Sequence, residues 1–92
     1  MSTVRIPPVL RAVAGNQKQV SVAGEMVGAV MSALVAVYPG LGDQLLAPDG
    51  RLNRFVNVYL NDEDVRYLRD LETPTGERDT IVILPAMAGG AA

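Results

Sequence analysis

Apolar and polar positions alternate along several short stretches of the chain, which is the pattern of strands that bury one face. The first stretch spans residues 3–10, and a second follows at residues 19–22 after a turn signal at residues 14–17. The clearest strand covers residues 55–60, and the last runs over residues 79–84. The pattern therefore predicts an N-terminal hairpin and at least two later strands.

One segment follows the 3.6-residue period of a helix instead of the period of a strand. It spans residues 24–38, with Glu25 expected in the first turn, where a negative charge favours the positive end of the helix dipole. Pro39 and Gly40 are expected to end this helix. Its apolar stripe, which we interpret as plain core, consists of Val27, Val30, Met31, Leu34 and Tyr38.

The remaining segments are shorter, and they complete the expected order of elements. Residues 41–46 favour a single helical turn, residues 61–64 form an acidic turn, and residues 65–68 favour a short strand or an extended piece. A hairpin followed by one crossover helix and further strands gives a mixed sheet with the helix on one face.

The predicted fold is therefore α+β and of the β-grasp type. It has one main helix and a mixed sheet of four to five strands. The unbroken apolar run of the last strand suits the centre of the sheet. We expect this domain to cover residues 1–86 and a flexible C-terminal tail to cover residues 87–92.

Composition excludes several classes of function. The chain has no cysteine and no histidine, which removes thiolate nucleophiles, tetrahedral zinc sites and the usual near-neutral general base. We therefore expect no bound cofactor and no enzymatic activity of its own. A net charge of −2 argues against nucleic acid as the main partner, and no stretch reaches the apolar length of a membrane span. A cytoplasmic protein is expected.

Four apolar side chains are expected on the sheet face that points away from the helix. They are Phe55, Tyr59, Val82 and Leu84. They have two interpretations, ordinary cross-strand packing on a solvated face or a docking patch for a partner enzyme. The acidic residues 62–64 are interpreted as a solvated hairpin tip, with a contact to a basic partner as the alternative.

Three stretches carry a resemblance to a known family. They are residues 5–11 (RIPPVLR), residues 51–66 (RLNRFVNVYLNDEDVR) and residues 83–90 (ILPAMAGG). On these residues the chain resembles the ubiquitin-like sulfur carriers of the MoaD/ThiS family. Within that family it is most similar to the branch that serves cysteine biosynthesis.

The resemblance implies a function for the C-terminal residues. Gly90 would be adenylated by an ATP-using enzyme related to ubiquitin activators and then converted to a thiocarboxylate that donates sulfide. Gly89 and Ala88 would belong to the tail that enters the partner's active site. The implied later partners are a PLP-dependent cysteine synthase, which supplies the sulfur acceptor, and a zinc-dependent protease that frees the new cysteine.

One feature departs from the family pattern, because Ala91 and Ala92 follow the second glycine. The carbonyl of Gly90 is then part of an amide, and no free carboxylate is available there for activation. Either a protease cuts between Gly90 and Ala91, or the two alanines are an artificial addition, or the carrier function is lost. We expect a precursor that is trimmed.

Other functions of the same fold stay open at this point. They are the small subunit of molybdopterin synthase, a sulfur donor for another thio-metabolite, and a ubiquitin-like protein modifier joined through Gly90. The sequence identifies neither the sulfur acceptor nor the protease.

Overall fold

Five strands form one mixed sheet in the order β2-β1-β5-β3-β4, as given by a computed structural model that describes residues 1–85. The strands are β1 (Ser2–Arg5), β2 (Gln19–Val22), β3 (Val56–Leu60), β4 (Glu63–Asp64) and β5 (Thr80–Pro85). The helices are α1 (Val27–Val37) and α2 (Gly42–Leu45). The predicted tail at residues 87–92 and the domain boundary at residue 86 lie outside the described residues.

The last strand lies at the centre of the sheet, as its apolar run predicted. β5 pairs with β1 in parallel and with β3 in antiparallel orientation. Ile81 and Ile83 are fully buried on the side that faces the core. The mixed sheet, its strand order and the single main helix confirm the predicted β-grasp fold.

The core between the sheet and α1 is aliphatic. The helix contributes four fully buried side chains, Val27, Val30, Met31 and Leu34, while Tyr38 packs against the core from its edge. These are the stripe positions expected from the sequence. They form one core cluster with Val4, Val58 and the two isoleucines of β5, which are also fully buried.

The first strand is shorter than predicted. β1 ends at Arg5, and residues 8–13 form a 3-10 helix, so the predicted strand does not continue through residues 6–10. The reason is Pro7-Pro8, since neither proline has an N–H to donate to the neighbouring strand. One more hydrogen bond joins the two arms of the hairpin beyond the pair Arg5–Gln19: the Ile6 N–H donates to the Lys18 carbonyl at 2.9 Å.

The helix begins at Val27, so the prediction of a start at residue 24 with Glu25 in the first turn was wrong. Met26 forms an isolated bridge with Pro74, and the Glu25 carbonyl accepts a hydrogen bond from the Thr75 N–H at 3.0 Å. This long-range pairing holds the chain extended until Met26. Hydrophobic periodicity depends only on neighbouring residues, so it does not reveal this long-range pairing.

The segment after the acidic turn was also wrongly predicted. The fourth strand is Glu63–Asp64, and Val65–Tyr67 is a 3-10 helix. Asn61 and Asp62 have φ values of 50° and 74°, which suits the two-residue loop of a tight hairpin. The hairpin therefore closes two residues earlier than the hydrophobic pattern indicated. Asp62 and Glu63 are exposed, as a solvated tip requires, whereas Asp64 is half-buried and accepts the Arg66 N–H at 2.9 Å.

Alternation along β5 predicts stability losses of very different size for two neighbouring substitutions. Ile83→Ala should lower the free energy of unfolding by about 2–5 kcal/mol, because it leaves a cavity in the core. Leu84→Ala should cost less than about 1 kcal/mol, because that side chain lies on the outer face. Urea denaturation measures both values. Equal losses would contradict the described orientation of β5.

A hydrogen-bonded carboxylate predicts acid sensitivity at the start of β5. The pKa of Asp79 lies below its usual 3.8, chiefly because the Asn61 amide donates to its carboxylate, with a second bond from the Gly76 N–H. The folded state therefore favours the ionised form. This stabilisation is present above the unfolded-state pKa and is lost as the pH falls through the folded-state pKa.

Asp79→Asn should therefore lower the urea midpoint at neutral pH, and its difference from the native chain should disappear under acid conditions. Asp62→Asn is the control, since that exposed carboxylate accepts no hydrogen bond within residues 1–85. A difference between Asp79→Asn and the native chain that stays constant down to pH values well below 3.8 would refute this role.

Candidate functional site

The outer face of the sheet carries apolar side chains towards the end of β5. Alternation sends Ile81 and Ile83 into the core, so Val82 and Leu84 point away from α1. Val82 is half-buried, whereas Leu84 keeps 43% of its surface exposed. The end of the central strand is thus apolar on both of its faces.

The register of β3 against β5 adds side chains of β3 to this surface. Tyr59 pairs directly with Val82, and Asn57 pairs with Leu84. Phe55 precedes β3 by one residue and is 59% exposed. Directly opposed residues lie on the same face, and diagonal neighbours stay within reach of aromatic side chains. We use the name docking patch for Phe55, Tyr59, Val82 and Leu84. Register and burial place Tyr59, Val82 and Leu84 on the outer face, and Phe55 is exposed in the turn that precedes β3.

Hydrogen bonds fix the polar border of the docking patch. The Arg66 guanidinium donates to Asn57 Oδ1 at 3.1 Å and to the Asn53 carbonyl at 2.9 Å. Asn53 Oδ1 in turn accepts the N–H of Phe55 at 2.9 Å, and the Arg54 guanidinium lies 5.1 Å from the centre of the Phe55 ring. An exposed ring held by a backbone bond and a cation–π contact presents a defined apolar surface.

Two apolar neighbours of Phe55, Val9 and Pro85, were not predicted from the sequence. Val9 and Pro85 line a hollow of about 280 Å³ together with the Phe55 ring. Val9 is 59% exposed and belongs to the 3-10 helix at residues 8–13, whereas the pattern predicted a strand up to residue 10. Pro7-Pro8 was the available signal, because two prolines in succession favour a bend over a continued strand.

The groups in this region are suited to binding another surface. Aromatic side chains and arginines, such as Phe55, Tyr59 and Arg54, are residue types enriched where proteins recognise each other. Within residues 1–85 there is no group of three or more acidic, cysteine or histidine side chains that could hold a metal ion. The same residues contain no helix long and apolar enough to cross a membrane.

The residues assigned to the C-terminal chemistry lie outside the described part of the chain. They are Ala88, Gly89, Gly90 and Ala91. Their roles stay predictions. The last described residue is Pro85, which pairs with Val56 at the end of β5. The described part of the chain therefore ends beside the docking patch.

A β-grasp sheet whose central last strand ends beside an exposed apolar patch defines a ubiquitin-like protein. The sequence model of the ThiS family matches residues 4–90. The chain belongs to the ThiS family, which confirms the resemblance found in the sequence.

Individual proteins agree with this assignment. The chain is 50% identical over 90 residues to the sulfur carrier protein CysO of Mycobacterium tuberculosis, covering 96% of this chain and 97% of that protein. A chain in the crystal structure of the Amycolatopsis orientalis BexX/CysO complex superposes with a TM-score of 0.88 at 38% identity, covering 94% of this chain and 96% of that one. Small archaeal modifier protein 3 of Haloferax volcanii is 36% identical over 70% of this chain and 68% of its own length.

Proposed function

We propose that this protein is a sulfur carrier for cysteine biosynthesis and acts as a protein co-substrate of other enzymes. The observation that supports this proposal best is the extent of the family match. It begins within β1 at residue 4, covers the other four strands and ends at residue 90, the second glycine. The similarity to CysO over nearly the full length of both chains supports the cysteine branch.

The chemistry begins with a carboxylate that is a poor electrophile. A carboxylate oxygen of Gly90 attacks the α-phosphorus of ATP in a ubiquitin-activator-like enzyme, and pyrophosphate leaves. A sulfide equivalent then attacks the carbonyl carbon, the C–O bond breaks and AMP leaves. The product is a thiocarboxylate. Glycine suits this position because a side chain would obstruct a narrow slot around the reacting carbonyl.

The two alanines must be removed before this reaction. Hydrolysis of the Gly90–Ala91 peptide bond gives Gly90 the free carboxylate that adenylation requires. Short termini with small side chains are accessible to proteases. In the complete scheme a PLP-dependent cysteine synthase holds the sulfur acceptor. A zinc-dependent protease then frees the new cysteine from this chain. Because the activating enzyme consumes ATP, we place the carrier in the cytoplasm.

The docking patch would orient the chain on the activating enzyme. An apolar surface at the end of β5 lies next to the point where the chain continues towards Gly90. Burial of Phe55 and Leu84 against the enzyme would contribute binding energy away from the reacting carbonyl. Such remote binding energy can position the reacting group.

A protein modifier is the second candidate, and the similarity to an archaeal modifier protein favours it. A modifier would form an isopeptide bond between Gly90 and a lysine of a target protein. Peptide mass spectrometry of cell extracts would find Gly90 attached to lysines of other proteins. The molybdopterin-synthase subunit and other thio-metabolite donors share the thiocarboxylate chemistry and differ in the acceptor.

The length of the C-terminus decides whether the chain can be charged. A chain ending at Gly90 should form a thiocarboxylate when supplied with ATP, a sulfide source and the activating enzyme. The chain ending at Ala92 should not, because its Gly90 carbonyl is an amide. Intact-mass spectrometry detects the exchange of one oxygen for one sulfur. Charging of the untrimmed chain at Ala92, or none of the trimmed chain, would overturn the scheme.

Charged substitutions in the docking patch should weaken the complex with the activating enzyme. Phe55→Asp or Leu84→Asp should raise Kd about tenfold or more, since desolvating a carboxylate against an apolar surface costs over about 1.4 kcal/mol. Calorimetric titration measures Kd, and the urea midpoint tests folding. Tyr67→Asp is the matched control, because Tyr67 is 88% exposed and outside the patch. Unchanged Kd in both patch variants would exclude this docking role.

A further inference from the structure

Positive and negative charges are unevenly distributed along this chain. Residues 1–24 contain Arg5, Arg11 and Lys18 and no acidic residue, so this segment carries a formal charge of +3. The whole chain carries −2, so residues 25–92 carry −5, since −2 minus +3 is −5. The N-terminal hairpin is therefore a basic segment in an acidic protein.

The fold brings the three cations of this segment to one end of the sheet. Ile6 links two of them, because its N–H donates to the Lys18 carbonyl at 2.9 Å and its carbonyl accepts from Arg11 Nε at 3.1 Å. Arg5 is the preceding residue, at the end of β1. The Arg11 guanidinium is thus held by the backbone, and its terminal nitrogens make no hydrogen bond within residues 1–85.

These side chains line a groove of about 660 Å³ that also includes part of the docking patch. We call it the basic groove. Its lining includes Arg5, Arg11 and Lys18 together with Val82 and Leu84 from β5, and no acidic residue. The groove therefore combines three positive charges with an aliphatic wall.

The charges of the basic groove have no acidic counterpart in the described part of the chain. Within residues 1–85 the one ion pair joins Arg51 Nε to Asp49 Oδ2 at 4.0 Å, and neither residue lines the basic groove. Arg5 and Lys18 are exposed. Three cations close together without an acid repel one another, and an anionic partner would remove that repulsion.

A second arginine-rich hollow is a weaker candidate. It is lined by Arg51, Arg54, Arg66 and Arg69. Asp70 and Glu72 lie in the same lining, and Arg66 already donates to Asn57 and Asn53. Its charges are therefore partly compensated within the molecule, in contrast to those of the basic groove.

We propose that the basic groove binds an acidic segment of the enzyme that charges Gly90. The segment would carry two or more Asp or Glu side chains next to an aliphatic one. Its carboxylates would contact Arg5, Arg11 and Lys18, and its aliphatic side chain would pack on Val82 and Leu84. A polypeptide fits better than nucleic acid, because the rest of the chain is strongly acidic and would repel a phosphate backbone. This inference rests on the proposed carrier function.

A peptide titration tests the groove independently of that function. The peptide Ac-Glu-Leu-Asp-Glu-NH2 is added to the ¹⁵N-labelled chain, with Ac-Gln-Leu-Asn-Gln-NH2 as its neutral control. Only the acidic peptide should shift the amide signals of Arg5, Arg11, Lys18 and Leu84. Equal shifts from both peptides, or shifts centred on the second hollow, would overturn the proposal.

Binding to the activating enzyme tests the partner. The double variant Arg5→Gln/Lys18→Gln should raise Kd about tenfold at low salt, and 1 M NaCl should remove most of that difference because it screens exposed charges beyond about 3 Å. Arg78→Glu is the matched control, since it changes the net charge by the same −2 at an exposed site near the start of β5. Unchanged urea midpoints confirm folding of both variants.

The outcomes separate this inference from the carrier function. If the trimmed chain is charged and the double variant binds the enzyme as tightly as Arg78→Glu, the basic groove is not the binding site and the carrier function stands. If the native chain binds the acidic peptide but is never charged, the carrier function fails, and with it the identity of the partner. The preference of the groove for acidic segments would then stand alone.

Discussion

The pairing of β5 between β1 and β3 is the constraint on which the rest of the structure depends. A strand paired on both edges leaves its side chains only two directions, into the core or onto the outer face. Ile81 and Ile83 take the first direction and are fully buried, whereas Val82 and Leu84 take the second. A shift of one residue in register would exchange the two sets, so core and docking patch have one common origin.

This arrangement separates stability from recognition along a single strand. The aliphatic core between the sheet and α1 holds the fold, and it uses none of the exposed side chains of the docking patch. A binding surface built on paired strands keeps its geometry better than one built on loops. The docking patch and the basic groove meet at the end of this strand, because Val82 and Leu84 belong to both. Under the proposed function both act before any chemistry at Gly90.

Much of the fold could be predicted from local pattern, and the errors have a common physical cause. Alternation correctly predicted strands at β3 and β5, and the apolar stripe predicted α1 with its buried positions. The errors came where distant residues decide local conformation. Residues 24–26 stay extended because they pair with residues 73–75, and residues 65–67 turn because the hairpin before them closes early. Local periodicity contains no information on such partners.

Which side chains share a face could be predicted from the sequence, because alternation in a strand and the helical period follow from backbone geometry. The buried stripe of α1 and the outward placement of Tyr59, Val82 and Leu84 follow from it. The residues that lie beside them depend on contacts between distant parts of the chain. Arg5 and Leu84 are distant in sequence and line one groove because β1 and β5 pair in parallel, which depends on long-range register. The bond between the Ile6 N–H and the Lys18 carbonyl likewise exists only once the hairpin has closed.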